Sequence, residues 1–304
     1  MFSTLLGALP ASAGGGSSSF EEAIVENVAD LEATGLGLVS SGLPAAAGSV
    51  EPQEVVRQWQ TATGATTLPV KAVVSGPYSA GKAGRPTTPE EIGERLAETV
   101  RALFAAGCSF VEIDEPDALE IATDEEERRR FVSAHRSLAD GRGGGHLSLT
   151  LTGGNLDQAG PATFFDLPYA SYAFDLIAGP DNWRLIAAAP TDRGIVCGAL
   201  DPRPRGDETR EVLVWAAHYA ASTAERGTDR VGLANASSLA GVARDIALRK
   251  LRVVAEATRV GSVESTEEMA RLLDPRAFGR RRNRPGVARP GAGARPPAAS
   301  DGAT

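Results

Sequence analysis

Short apolar runs alternate with longer amphipathic stretches along most of the chain, the pattern of β-strands separated by α-helices. Runs at 2–10, 35–42, 71–79, 109–116, 146–154, 171–179, 193–202 and 230–238 read as strands. The clearest helix between them is TPEEIGERLAETVRALFAAG, with Thr88 as N-cap, Pro89 at the first helical position and Glu90 and Glu91 in the first turn. Gly107 suits its C-terminal cap. Eight strands in alternation with helices make the count of a (β/α)8 TIM barrel. The alternative, a doubly wound open sheet, usually carries a glycine-rich phosphate loop after its first strand, and GALPASAGGG fits that fingerprint poorly. The predicted fold class is α/β: a single (β/α)8 TIM barrel over 1–262, followed by a tail at 263–304.

The tail is rich in Arg, Pro, Gly and Ala and lacks periodicity, the composition of a disordered segment. Arg280, Arg281, Arg282 and Arg284 form a basic cluster suited to a polyanion, with a plain solvated tail as the simpler reading. The net charge of −8 gives no electrostatic case for nucleic acid. Cys108 and Cys197 supply no disulfide framework. No apolar run reaches the roughly 18 residues of a membrane helix. The opening MFSTLLGALPASAGGG lacks the basic region of a secretion signal and reads as strand and loop. The expectation is a cytoplasmic protein with a small-molecule ligand, no nucleic-acid or membrane partner, and an oligomeric state the sequence leaves open.

In a barrel the chemistry gathers at the C-terminal ends of the strands. That rule selects Gly7 and Ala8, Ser41 to Leu43, Pro77 and Tyr78 in SGPYS, Asp114 and Glu115 in VEIDEP, Thr150 and Thr152 in LSLTLTGGN, Asp175, Asp201 and Arg203 in LDPRPR, and Ser237 and Ser238. Two carboxylates at a strand end are costly unless solvated or paired. Asp114 is therefore a candidate ligand contact, for an ammonium group or as a general base. Glu115 is a second candidate, or the partner of a neighbouring arginine. Arg203 suits a carboxylate or phosphate, with a surface ion pair as the alternative. Tyr78 is either a binding residue or part of a structural Gly-Pro turn. The cysteines read as inert core thiols. His135, His146 and His218 are scattered, and no His/Cys spacing suggests a metal site.

These segments together resemble the cobalamin-independent methionine synthase family, over about Phe2 to Val260. GCSFVEIDEPDAL is similar to the family's Ile-Asp-Glu-Pro motif, KAVVSGPYS to its Gly-Pro-Tyr-Thr segment, and FSTLLGALP to its opening strand. LSLTLTGGN looks like its His-x-Cys-x-Gly-Asn strand, and GLANASSLAG like its Pro-x-Cys-Gly segment. The resemblance implies transfer of a methyl group from a methyl-tetrahydrofolate to a thiol held by zinc. It also implies that the zinc-binding His, Cys, Glu and Cys fall on Thr150, Thr152, Asp175 and Ser237, a set with neutral hydroxyls that suit zinc poorly. His146, four residues before Thr150, lies too far along the strand to substitute. The family's Ser and Glu in the amino-acid pocket fall on Ala8 and Leu43, while its substrate-binding Asp is retained as Asp114.

Three functions follow. The first is a repurposed methyl or one-carbon transferase, with Asp114 and Asp175 as catalytic candidates, no metal, and a folate methyl donor as the candidate cofactor. Glu115, Tyr78, Thr150, Thr152, Arg203 and Ser237 would then bind substrate. The second is a non-catalytic ligand-binding or regulatory barrel. The third, the least expected, is a zinc-dependent homocysteine methyltransferase.

Overall fold

The computed structural model describes residues 1–11, 19–46, 50–82, 87–205 and 209–274. Its strands are β1 (Phe2–Thr4), β2 (Ala72–Ser75), β3 (Phe110–Asp114), β4 (His146–Leu151), β5 (Ser171–Asp175), β6 (Gly194–Leu200) and β7 (Val231–Asn235). Its helices are α1 (Phe20–Ala33), α2 (Pro52–Gly64), α3 (Pro77–Lys82), α4 (Pro89–Ala105), α5 (Glu125–Ala139), α6 (Pro161–Phe165), α7 (Trp183–Ala188), α8 (Arg210–Ser222), α9 (Arg244–Gly261) and α10 (Thr266–Leu273). The strands form one parallel sheet in the order β1-β7-β6-β5-β4-β3-β2. Consecutive parallel pairing with helices between strands curls the sheet and covers its outer face.

The described residues form seven strands, not the eight the pattern predicts. The missing one is the run at 35–42, reduced to isolated parallel bridges from Leu38 to Thr4 and from Val39 to Val70. Leu38 donates its N–H to Ser3 O at 3.0 Å, and Val39 O accepts from Lys71 N at 2.9 Å. Gly35 and Gly42 bracket the run at φ +84° and +68°, left-handed conformations that end an extended ladder on both sides. The short segment still touches β1 on one side and the approach to β2 on the other.

The two faces of the sheet divide by chemistry. Leu147, Leu149 and Leu151 of β4, Tyr172 and Phe174 of β5 and Ile195 and Cys197 of β6 are fully buried. Cys197 lies against α8, with its thiol 3.6 Å from Ala216 O. Burial of each large apolar side chain on this face contributes roughly 1.5–3 kcal/mol. The inner face carries small and polar side chains in register. Ser75, Asp114, Thr150 and Ala173 form one row, and Glu112, Ser148, Ser171 and Gly194 another. Leu6, Ala173, Val196 and Ala234, with Phe2, form an apolar cluster within it.

α4 begins as its sequence predicts. Thr88 Oγ1 accepts from Glu91 N, and the Glu91 carboxylate accepts from Thr88 N, with Pro89 in the first turn. The chain divides into two compact units, Met1–Glu264 and a second beginning at Ser265. Of the segment 263–304, residues 263–274 are described, and they carry α10. α10 is a helix capped by Ser265, whose hydroxyl accepts from Glu268 N, with Glu267 and Glu268 favourably placed in its first turn. The arginine cluster at 280–284 lies outside the described residues. No helix among the described residues is long and apolar enough to cross a membrane.

Candidate functional site

β3 ends in two adjacent carboxylates with different surroundings. The Asp114 side chain lies on the inner face, beside Ser75 of β2 and Thr150 of β4 in register. No hydrogen-bond partner for its carboxylate occurs among the described residues. Burial first, then the charges of Glu112 and Glu115, push its carboxyl up to about 7, against a smaller opposing pull from Lys71. Asp114 therefore exchanges a proton near neutral pH.

Glu115 is fully buried and faces the helices. Its Oε1 accepts from Tyr78 N at 2.9 Å, and its Oε2 from Ser79 N at 2.8 Å and Ser79 Oγ at 2.5 Å. His135 Nε2 of α5 stands 3.0 Å from Oε1, and His135 Nδ1 lies 2.6 Å from the Tyr169 hydroxyl. The Nε2–Oε1 contact is close but lacks hydrogen-bond geometry, so the Tyr169 hydroxyl is the ring's hydrogen-bond partner. Gly76 is required here, because a Cβ would come within 2.1 Å of the Glu115 carboxylate. Glu115 is thus a structural clamp on the start of α3 and is not open to a substrate. Its expected arginine partner is replaced by backbone amides and a histidine. In SGPYS, Ser75 ends β2, Gly76 makes the turn and Pro77, Tyr78 and Ser79 open α3, in line with the structural Gly-Pro alternative. The Tyr78 side chain is directed at α5, with Oη 2.5 Å from Glu127 Oε2 and its ring edge-on to Phe131.

Three other sequence-selected residues do converge. Asp175, Arg203 and Ser237 line one cavity of about 290 Å³ with Ile177, Ala178, Asp201 and Pro202. Asp175 ends β5 because its carboxylate turns back on the chain. Oδ1 accepts from Ile177 N and Ala178 N at 2.8 Å, and Oδ2 from Gly153 N at 3.2 Å. Arg203 forks onto Asp201, with Nε 2.9 Å and Nη2 2.5 Å from Oδ2, which holds the Asp201 carboxyl below its ordinary value. The guanidinium thus already has an anion, in accord with the ion-pair alternative, although its side chain remains 76% exposed.

Thr150 and Thr152 both stand on the inner face, Thr150 in β4 and Thr152 just past its end. Thr150 is fully buried, and its Oγ1 has no hydrogen-bond partner among the described residues. The family resemblance implies zinc at Thr150, Thr152, Asp175 and Ser237. The side chains do not fit that ion. Three are neutral hydroxyls, and the one carboxylate already accepts three backbone N–H groups. Among the described residues no group of three or more His, Cys, Asp or Glu is placed to hold a metal. His146 is at the opposite end of β4, hydrogen-bonded through Nε2 to Ser171 Oγ at 2.8 Å. Cys108 and Cys197 are buried, and burial raises both thiols, that of Cys197 to about 12.

Sequence reading passes over one feature. Lys71 and Glu112 form a buried ion pair on the inner side of the sheet, and Lys71 Nζ also donates to Leu5 O at 2.7 Å. The available signal is the charge at position 112 inside an apolar run, two residues from Asp114 and so on its face.

The fold and site first define a class: a parallel α/β chain with a polar inner face and a cavity at the strand ends. Comparison with known proteins then gives the relationship. No family model matches. The chain is 37% identical over 141 residues to a 5-methyltetrahydropteroyltriglutamate–homocysteine methyltransferase of Chelativorans sp. (strain BNC1), covering 44% of this chain and 18% of that protein. It is 31% identical over 196 residues to the protein of that name from Nitrobacter winogradskyi, covering 60% of this chain and 24% of that protein. A solved B12-independent methionine synthase from Shewanella sp. W3-18-1 superposes with a TM-score of 0.69 at 13% identity, over 84% of this chain and 96% of that one, which shows the shared fold. The chain is thus similar in sequence to these methyltransferases over part of its length, and the matches span less than a quarter of each of the two curated proteins.

Proposed function

We propose that the chain is a methyl or other one-carbon transferase acting on a small molecule without the zinc that the family resemblance implies. In this reading Leu38 and Val39 stand in for the strand between β1 and β2 and close a (β/α)8 barrel. The observation that carries the proposal is Asp114, a strand-end carboxyl poised near neutrality and lacking a partner, above an inner face of hydroxyls. Such a group serves as general base and then general acid. As the acceptor's bond to the methyl carbon forms and the carbon–nitrogen bond to a reduced-folate donor breaks, the acceptor's proton passes to the Asp114 carboxylate. The carboxyl then passes that proton on to the donor nitrogen, which has lost its bond to the methyl carbon. Thr150, Thr152 and Ser237 supply hydrogen bonds that orient the ligand.

The test is incubation of the purified chain with a methyl-labelled folate donor and thiol, amine and hydroxyl acceptors. Label transfer that Asp114→Ala abolishes supports the proposal. Absence of turnover, together with no small molecule in the native mass spectrum, sinks it.

The second reading, a ligand-binding barrel without catalysis, draws on the internal engagement of Asp175 and Arg203. Ligand binding that depends on Asp114, with no turnover, supports it.

A further inference from the structure

The Lys71–Glu112 pair has no part in the function described so far. Both side chains are almost completely withdrawn from solvent. Burying an ion pair is costly, and apolar residues of similar volume are often as stable or more so. Packing alone therefore gives little reason for the pair. Its geometry is also lopsided. Glu112 Oε2 receives the ammonium of Lys71, while Glu112 Oε1 has no hydrogen-bond partner among the described residues. The inner face nearby holds two more unpartnered oxygens, Thr4 Oγ1 and Thr150 Oγ1. Asp114 lies two residues beyond Glu112 on the same strand and the same face.

We propose that Glu112, held by Lys71, is a positioning residue for Asp114: its buried charge decides the protonation state in which Asp114 meets a ligand. The charges on the elements around Asp114 are few. Lys71 lies just before β2, Glu112 is in β3, and Glu115 and Asp117 follow β3. β4 presents Ser148 and Thr150 beside these positions, with no titrating group. The charges of three carboxylates and one ammonium act on Asp114, and among them Glu112 exerts the largest effect. Lys71 holds the Glu112 carboxylate in place and itself acts on Asp114 in the opposite sense.

The inference rests on Asp114 as the working carboxyl of the proposed function, but its test needs neither ligand nor turnover. The Asp114 carboxyl is followed by carbon NMR across pH in the ligand-free full chain and assigned by its loss in Asp114→Asn. Glu112→Gln keeps the shape and a hydrogen bond to Lys71 while removing the negative charge. The Asp114 midpoint is expected to fall by about one pH unit or more. A folded Glu112→Gln protein with an unmoved midpoint overturns the proposal, because a purely structural Glu112 would change thermal stability and leave the titration in place. If Glu112→Gln does not fold, the double variant Lys71→Met with Glu112→Leu reads the same quantity in an apolar pair of similar volume. A lowered midpoint supports the proposal, and an unchanged or raised one overturns it. A shifted midpoint with no methyl transfer leaves the electrostatic inference standing and removes only the function.

Discussion

The backbone N–H of Tyr78 donates to Glu115 Oε1 at 2.9 Å, while the phenol of the same residue turns away to Glu127 on α5. One residue thus ties the end of β3 to the start of α3 through its backbone and ties α3 to α5 through its side chain. Glu115→Ala removes the acceptor for two backbone amides and the Ser79 hydroxyl and leaves His135 facing a void. The expected cost is roughly 3–5 kcal/mol, the range for breaking a buried charged network from one side. Urea denaturation should show a lower midpoint with an unchanged slope.

Tyr78→Phe should behave very differently. It deletes one hydrogen bond to a partly exposed carboxylate, worth about 1 kcal/mol. Because the ring packs on Phe131, ligand affinity should stay within error of wild type in a calorimetric titration. A clear loss of affinity would return Tyr78 to the pocket.

Asp114 makes stability depend on pH in a defined direction. Its carboxyl titrates at about 7 in the folded chain, well above the ordinary aspartate value. The folded state therefore holds the proton more tightly than the unfolded state does. This contribution is complete below the unfolded value, is lost as pH rises toward 7, and is absent above it. Asp114→Asn should accordingly stabilise the protein at pH 8, by roughly 1–2 kcal/mol, and have little effect at pH 4. Thermal melts of the two proteins across that window check the crossing.

Sequence periodicity sufficed for the parallel α/β order, because buried parallel strands read as apolar runs and α4 carries its own capping box. It overstated the strand at 35–42, where glycine dihedrals decide the outcome and hydropathy is blind to them. At the site, position along a strand was legible and side-chain direction was not. Asp175, Arg203 and Ser237 share a cavity because each lies at or just past a strand end. Glu115 follows one too, but its backbone turns into the helix Pro116–Ile121, carrying the carboxylate to the helix side of the sheet. Lys71 and Glu112 escaped notice because a buried pair depends on register between strands distant in sequence.

Arg203→Ala tests the ion pair at the cavity rim. The fork onto Asp201 is largely exposed on the arginine side, so the stability change should stay below about 1 kcal/mol. The Asp201 carboxyl, held down chiefly by Arg203, should return upward toward an ordinary aspartate in an NMR titration. An unmoved Asp201 would mean that the fork does not persist in solution.

Metal content separates the functional readings directly. Protein purified in the presence of equimolar zinc and then dialysed should retain well under one equivalent by elemental analysis. Asp175→Ala should leave that figure unchanged. Stoichiometric zinc that disappears in Asp175→Ala would revive the metal-dependent reading.

The unpartnered hydroxyl of Thr150 carries a last consequence. A threonine Oγ1 is a rotor that can present either its hydrogen or a lone pair. A fixed imidazole or thiolate at that position would demand one kind of atom from whatever approached. A free rotor accommodates a carbonyl in one molecule and an amine in another with no movement of the backbone. If the proposed function holds, ligands that exchange donor for acceptor opposite this hydroxyl should therefore bind with similar strength.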